Sequence, residues 1–209
     1  MQDRGLAAYI SELIGTMLLT FAICTVVTLY AATSPDAQTG SDFAVIGLVQ
    51  GLALFALIMS FGTVSGGHFN PAVTIGAAVL RRIDPIDAIV YILAQLSGGV
   101  LGALMVKGLL SDEGRPGNYG AGAVTDLIGG NFAGFIVEGL GAFLIVLAIC
   151  SVAFNERARQ EWAPLAIGLT FTFAVMIFGP LTGANFNPSW SASWGPASGG
   201  MRLATRWTG

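Results

Sequence analysis

Long stretches without a charged residue dominate this sequence of 209 residues and restrict its fold more than any other feature. A helix needs about 20 mostly apolar residues to cross a bilayer, and most of these stretches are near or above that length. Of all residues, 54% are hydrophobic and only 10% are charged, and the mean hydropathy is +0.74. This composition excludes a soluble domain and indicates a membrane protein. The uncharged stretches are 13–35, 43–80, 88–106, 139–155 and 162–201.

Interpreted as helices, these stretches predict five full crossings of the membrane. The first crossing begins after a few polar residues and carries Glu12 near its start. This pattern fits a retained transmembrane helix better than a cleaved signal peptide. The expected fold class is therefore an all-α membrane protein. The predicted spans are 8–31, 43–62, 86–109, 131–153 and 162–180.

Two similar polar motifs interrupt the apolar pattern, one after the second span and one after the fifth. They read SGGHFNPA at 65–72 and TGANFNPS at 182–189. Both are too rich in Gly, Asn and Pro for an ordinary helix interior. After Pro71, residues 72–80 are apolar but only about half a membrane long, and proline suits the first position of such a helix. The first motif therefore predicts a loop that enters the membrane and returns as a half-helix.

The two halves of the chain form an internal repeat. Glu12 and Glu138 open the matching segments ELIG and EGLG, and the two Asn-Pro motifs match at a constant offset of 117 residues. Because the first copy would hold three crossings, the second copy must run through the membrane in the opposite direction, so the motifs enter from opposite faces and meet near the middle. The sequence therefore predicts one membrane domain with an inverted repeat. Repeat one covers 1–126, and repeat two, which is incomplete, covers 127–209.

The positions of the basic residues set the expected orientation. Cytoplasmic loops are enriched in Lys and Arg. We therefore place the N-terminus in the cytoplasm of a protein of the cell membrane, and the polar connector 111–126 outside the cell. The cytoplasmic side carries Arg4, Arg81, Arg82, Arg157 and Arg159, joined by Arg202 and Arg206 if the tail stays there, and the other side carries only Lys107 and Arg115.

Irregular backbone at membrane depth is tolerated only where it is buried in protein or lines a wet cavity, so the motifs predict a lined pore. Asn70 and Asn187 offer side-chain N–H donors where the half-helices start. Each half-helix turns its positive end, roughly +0.5 elementary charge, to the centre, which opposes cations and protons but not neutral solutes. The expected function is a passive channel for water and small neutral solutes. The expected lining carbonyls belong to Gly66, Gly67, His68, Phe69, Gly183, Ala184, Asn185 and Phe186.

The sequence resembles the aquaporin, or major intrinsic protein, family over about residues 7–188. The resemblance rests on the motif at 65–72, on Glu12 with Thr16, on YILAQ at 91–95 with Gly98 and Gly99, and on Glu138. It implies six helices with two half-helices, a homotetramer in the lipid bilayer, and one pore for water or small solutes in each subunit. The pore motif that it implies comprises Asn70, Pro71, Ala72, Asn187, Pro188 and Ser189.

The resemblance also places Gln50, Val175 and the backbone near Ala184 at the outer selectivity constriction. None of these residues is the aromatic or His of a narrow water filter. Two alternatives stay open, because Gln50 could bond a neighbouring helix and Val175 could simply pack. Carboxylates within a membrane need partners, so the symmetric Glu12 and Glu138 are expected to brace the re-entrant loops through backbone N–H groups.

No group of residues suggests catalysis or metal binding. No nucleophile or metal-ligand cluster accompanies the two carboxylates, so we expect no enzymatic activity and no cofactor, metal or nucleic-acid partner. His68 is the only histidine. It is interpreted as a neutral, hydrogen-bonded support for the first loop, with a pH sensor as the alternative.

The second motif departs from the family pattern. The family usually has Ala and then Arg after the second Asn-Pro, whereas this chain has Ser189 and Trp190. By the repeat offset, a sixth helix is expected to begin near residue 203, but 203–209 is too short and polar to cross a bilayer. Three explanations stay open: a cut in the chain, a sequence error near Pro188, which the sudden loss of pattern favours, or a naturally short protein.

Other functions remain as alternatives to a water channel. A facilitator of glycerol, another polyol or another small solute is favoured by the wide, non-aromatic constriction. A non-conducting structural membrane protein is favoured by the missing Arg and last helix, whereas the intact first motif argues against it. An ion channel is the weakest alternative, since no ring of carboxylates lines either motif.

Overall fold

A computed structural model describes residues 5–32, 39–122 and 124–192 of the chain. Seven α-helices and short helical turns make up its regular structure, and these described residues contain no β-strand. The α-helices are α1 (Gly5–Val27), α2 (Thr39–Ser65), α3 (Pro71–Val79), α4 (Pro85–Leu109), α5 (Asn131–Val152), α6 (Ala163–Thr182) and α7 (Pro188–Ala192), with a π-helical turn at Thr28–Ala32 and 3₁₀ turns at Asn118–Gly120 and Gln160–Trp162.

Five of these helices, α1, α2, α4, α5 and α6, are long and apolar enough to cross a membrane. They confirm the five predicted spans, with ends shifted by a few residues. The short α3 corresponds to the predicted half-helix at 72–80, and α7 follows the second Asn-Pro motif. The predicted sixth helix near residue 203 lies outside the described residues.

The starts of α3 and α4 follow one local rule. Asn70 accepts a hydrogen bond from Ala72 N at 2.8 Å, and Asp84 accepts one from Ile86 N at 2.9 Å. In each case a proline takes the first helical position, where its missing N–H costs nothing. An Asn-Pro or Asp-Pro pair therefore ends the preceding loop and starts a helix, even inside the membrane.

Close helix packing holds the bundle together. Helix α4 packs on α1, α2 packs on α6 and on α1, and α5 packs on α6. Small residues permit these contacts: a Cβ at Gly98 would overlap Leu13 O, and a Cβ at Gly168 would lie 2.7 Å from Gly51 O. Van der Waals packing of this kind drives helix association in lipid, where the hydrophobic effect is absent.

Helix α5 is the least covered of the five long helices. Its counterpart in the repeat, α1, is covered by α2 and α4, whereas α5 packs mainly against α6. As a result, several large side chains on α5 remain exposed among the described residues. They include Phe132, Phe135, Ile136, Leu140, Phe143 and Leu147.

Candidate functional site

The two Asn-Pro motifs meet in the middle of the bundle. Asn70 Nδ2 donates to Phe186 O at 3.0 Å, and Asn187 Nδ2 donates to Phe69 O at 2.8 Å. Each asparagine uses its other polar atom to cap its own helix, because Asn187 Oδ1 accepts from Ser189 N as Asn70 Oδ1 accepts from Ala72 N. The structure therefore brings the predicted pore-motif residues together through a reciprocal pair of hydrogen bonds.

Left-handed backbone shapes both loops. The first loop has positive φ at Gly66 (92°), Gly67 (66°) and Phe69 (47°), and the second at Gly183 (84°) and Ala184 (58°). Glycine adopts this region without strain, but Phe69 and Ala184 do so at a cost that the surrounding contacts must offset. The two loops are thus held in shapes that an isolated peptide would rarely adopt.

The carboxylate of Glu12 offsets that cost in the first loop. Its Oε1 accepts from His68 N at 3.0 Å and from Ser65 Oγ at 2.6 Å. Its Oε2 accepts from Phe69 N at 2.7 Å and from Gln95 Nε2 at 2.8 Å. The side chain is wholly buried, and four donors satisfy its two oxygens.

The second loop receives a weaker brace. Glu138 Oε1 accepts from Asn185 N at 2.9 Å. Within the described residues this is the one backbone hydrogen bond to Glu138, whereas Glu12 accepts two. The two glutamates therefore occupy equivalent places in the repeat, but the first loop is held by more contacts than the second.

A polar network that the sequence did not predict lies behind the first loop. Gln95 Nε2 donates to Thr74 Oγ1 at 2.9 Å, and Tyr91 Oη donates to Ser65 O at 2.7 Å. The signal for it was the spacing of Tyr91 and Gln95, which are four residues apart and so share one face of α4. That face meets α3 and the first loop, so the network ties α4 to the half-helix.

His68 supports the first loop. Its Nδ1 lies 3.0 Å from Thr74 Oγ1, and its ring packs edge-on against Tyr91 with centroids 5.3 Å apart. The side chain is buried but borders a cavity. These contacts match the interpretation of His68 as a hydrogen-bonded support.

A cavity of about 580 Å³ leads from one end of the bundle to the two asparagines. Arg82, Gln160 and Glu161 lie at the mouth of the cavity, and Asn70 and Asn187 lie at its closed end. Apolar side chains cover much of its wall, and backbone from the first loop contributes polar groups. The wall includes Leu54, Ile58, Gly66, Gly67, His68, Ile145, Ile167 and Phe171.

The residues predicted to form the selectivity constriction are not part of this cavity. Gln50, Val175 and Ala184, the predicted constriction, are buried and do not border the cavity. The Gln50 amide has no hydrogen-bond partner among the described residues, so the interhelical bond proposed as its alternative is not formed there. Trp190, in the place of the family's Arg, is buried as well.

The carbonyls expected to line the pore fall into two groups with respect to this cavity. Of the eight residues expected to line the pore, Gly66, Gly67 and His68 border the cavity, whereas the others do not. The residues that do not border the cavity are Phe69, Gly183, Ala184, Asn185 and Phe186.

Comparisons with known proteins identify the family. The family model described as Major intrinsic protein matches residues 2–207. The chain is 38% identical to glycerol uptake facilitator protein-like 6 of Lactiplantibacillus plantarum over 95% of this chain and 88% of that protein. It is 37% identical to nodulin-26 of Glycine max over 90% of this chain, but spans only 65% of that protein.

Two further matches extend the likeness. The chain is 34% identical to probable aquaporin AqpM of Archaeoglobus fulgidus over 87% of this chain and 79% of that protein. The solved structure of the aquaglyceroporin from Plasmodium falciparum superposes with a TM-score of 0.79 at 25% identity, covering 96% of this chain and 85% of that one. The chain therefore belongs to the major intrinsic protein family, whose members are channels for water and small neutral solutes.

Proposed function

We propose that the protein is a passive channel that conducts water and small neutral solutes along its cavity and excludes ions and protons. The observation that carries this proposal is the reciprocal bonding of Asn70 and Asn187 at the end of a membrane-depth cavity. Each asparagine directs an Nδ2 donor to the meeting point of two helix starts. The likeness to proteins named aquaporin, glycerol uptake facilitator and aquaglyceroporin supports the same function.

Exclusion of cations follows from the charges at that meeting point. Helix starts carry partial positive charge, and those of α3 and α7 face the same place. The two oxygens of Glu12 accept hydrogen bonds from four donors, and neither Glu12 nor Glu138 borders the cavity. A cation would therefore lose its hydration without a compensating carboxylate, whereas water can accept from the asparagine donors.

The composition of the cavity wall favours a small polyol as a second passenger. Leu54, Ile58, Ile167 and Phe171 give apolar contacts, and the backbone of the first loop gives polar ones. A polyol has C–H groups that can contact the apolar side chains and hydroxyl groups that can hydrogen-bond to the backbone, so its chemistry matches this wall. We therefore include glycerol-sized polyols among the proposed solutes.

We further propose that the chain forms one domain of two inverted repeats, assembles as a homotetramer as the family resemblance implies, and has its N-terminus in the cytoplasm. Arg82 at the mouth of the cavity, with Arg81, Arg157 and Arg159, supports that orientation. The cavity then opens to the cytoplasm. Protease or thiol-labelling mapping of the loops in sealed membranes would test it.

Osmotic assays on reconstituted vesicles test the proposed conduction. Shrinkage after a sucrose step measures water flux, and swelling in an inward glycerol gradient measures polyol flux. We expect both rates to exceed those of empty vesicles. Leu54→Trp should remove the excess because Leu54 borders the cavity, whereas Leu52→Trp, on the exposed side of the same helix, should leave it unchanged.

Leu54→Trp and Leu52→Trp together distinguish flux through the cavity from leakage across the membrane. If the two tryptophan variants behave alike, the flux does not pass through the cavity and the proposed path is wrong. A rate equal to that of empty vesicles, together with equal rates for every variant, would instead favour a non-conducting structural protein.

A further inference from the structure

The cavity stops at the asparagine pair although the helix faces that line it continue. Leu54 on α2 and Phe171 on α6 both border it. One turn further from the cavity's mouth, Gln50 and Val175 lie on the same faces, since residues four apart share a face of a helix. Both are 0% exposed. Some group therefore fills the space that an open pore would leave in front of them.

Trp190 is placed to be that group. It follows Asn187, which borders the cavity, by three residues, so it lies on the same side of α7 and about 4.5 Å further along the helix axis. Helix α7 begins at the asparagine pair, where its backbone bond from Trp190 N to Asn187 O measures 3.1 Å. The indole therefore lies beyond the cavity end, in the half of the bundle that the cavity does not reach.

The indole of Trp190 is almost completely covered by its surroundings. The side chain is 1% exposed and is the largest fully buried side chain among the described residues. It belongs to the large buried apolar cluster that includes Val175 and Ala184, two of the residues expected at the constriction, and also Leu54 and Phe171 beside the cavity. An indole is a large, rigid group, so one that packs inside a pore obstructs the passage of water.

We propose that Trp190 is a plug: its indole closes the outer half of the channel, and the structure is the closed state of a pore that is open from one face up to the two asparagines. This inference rests on the proposed channel function. It assigns Trp190 a gating role, because solutes pass only when the indole leaves the space in front of Gln50 and Val175.

The buried side-chain amide of Gln50 supports the existence of a second, open conformation of the channel. Both polar atoms of its amide are buried without a hydrogen-bond partner among the described residues. A buried amide in that condition destabilises the closed state. Water entering after the indole moves would satisfy the amide, so the same side chain that is unsatisfied in the closed state favours the open one.

Removal of the indole tests the plug. In vesicles, Trp190→Ala should raise osmotic water permeability about tenfold above that of the unchanged chain, as expected when a minor open population becomes dominant. Trp162→Ala is the matched control, since Trp162 is 56% exposed and does not border the cavity, and it should leave the rate unchanged. Adding Leu54→Trp to Trp190→Ala should abolish the gain.

Thiol labelling provides a second measurement that does not depend on flux. Val175→Cys should be protected from a small water-soluble methanethiosulfonate reagent in the presence of Trp190 and modified when Trp190→Ala is added. Mass spectrometry of the labelled peptide separates this site from Cys24 and Cys150. Folding of each variant is checked by its gel-filtration profile and helical circular dichroism.

The outcomes separate the plug from the channel. Conduction by the unchanged chain that Leu54→Trp blocks, with no gain and no new labelling from a folded Trp190→Ala, would overturn the plug and leave the channel standing. An unchanged chain that conducts only slightly above empty vesicles, together with a strongly conducting Trp190→Ala, supports both proposals. Absence of conduction from both folded proteins overturns both.

Discussion

Replacement of Glu12 by Gln should destabilise the fold more than the same replacement of Glu138. Glu12 is wholly buried and accepts four hydrogen bonds, two on each oxygen. A Gln amide keeps one acceptor oxygen and turns its NH₂ toward a backbone N–H, whichever way it is oriented. Two charge-assisted hydrogen bonds are then lost, at about 1.5–3 kcal/mol each, which gives roughly 3–6 kcal/mol.

The matched variant Glu138→Gln should cost much less. Glu138 accepts one backbone hydrogen bond, from Asn185 N, within the described residues. Loss of this one charge-assisted hydrogen bond sets an upper limit of about 1.5–3 kcal/mol. The cost is lower if the Gln amide presents its oxygen to Asn185 N. The free energy of unfolding in mixed detergent micelles, titrated with a denaturing detergent, measures both values under identical conditions.

Water flux gives a second measurement on the Glu12→Gln and Glu138→Gln variants. In Glu12→Gln either His68 N or Phe69 N loses its acceptor, and both lie in the first loop beside the cavity, so water flux should change together with stability. Equal losses of stability in the two variants would contradict the reasoning, since the structure gives the two carboxylates different numbers of donors. A more stable Glu12→Gln would show that burial of the charge outweighs its hydrogen bonds.

Three further expectations follow from particular contacts. Gly98→Val should destabilise the α1–α4 contact by about 3 kcal/mol, because the new side chain meets Leu13 O; Gly108→Val, on the same helix with open space, should stay within about 0.5 kcal/mol by the same denaturation assay. Gln50→Leu should raise stability by about 1–3 kcal/mol, since it removes an unsatisfied amide, and should lower water permeability in vesicles. Planar-bilayer recordings of Trp190→Ala should show no K⁺ or Na⁺ current above background, and a current would refute the exclusion of cations.

The helices could be predicted from the sequence because their signals are local. An uncharged run longer than the bilayer leaves few alternatives to a transmembrane helix. An Asn followed by Pro71 at the end of such a run marks the start of α3, since the side-chain cap and the fixed proline φ act within three residues. The inverted repeat also predicts that Asn70 and Asn187 lie close together, as their hydrogen bonds to the opposite loops show.

The polar network and the closed outer half could not be predicted in the same way. Thr74, Gln95 and Glu12 come from three helices, and their contact depends on how these helices are rotated and shifted against one another. A local pattern does not encode that register. Likewise, the sequence shows that Trp190 replaces the family's Arg, but only the packing of α7 shows that its indole is buried instead of facing an open pore.

The unequal bracing of the two loops predicts that the outer half of the pore is the part that changes state. The first loop is fixed by Glu12 and by the network behind it, whereas the second loop has one backbone bond to Glu138 and depends on the first through the bond from Asn187 Nδ2 to Phe69 O. Among the described residues the second loop has fewer bonds to a buried carboxylate than the first, so we expect motion to concentrate on the second loop and α7. Because Trp190 is carried on α7, a small displacement of this short helix would move the indole while the asparagine pair and the inner cavity keep their geometry.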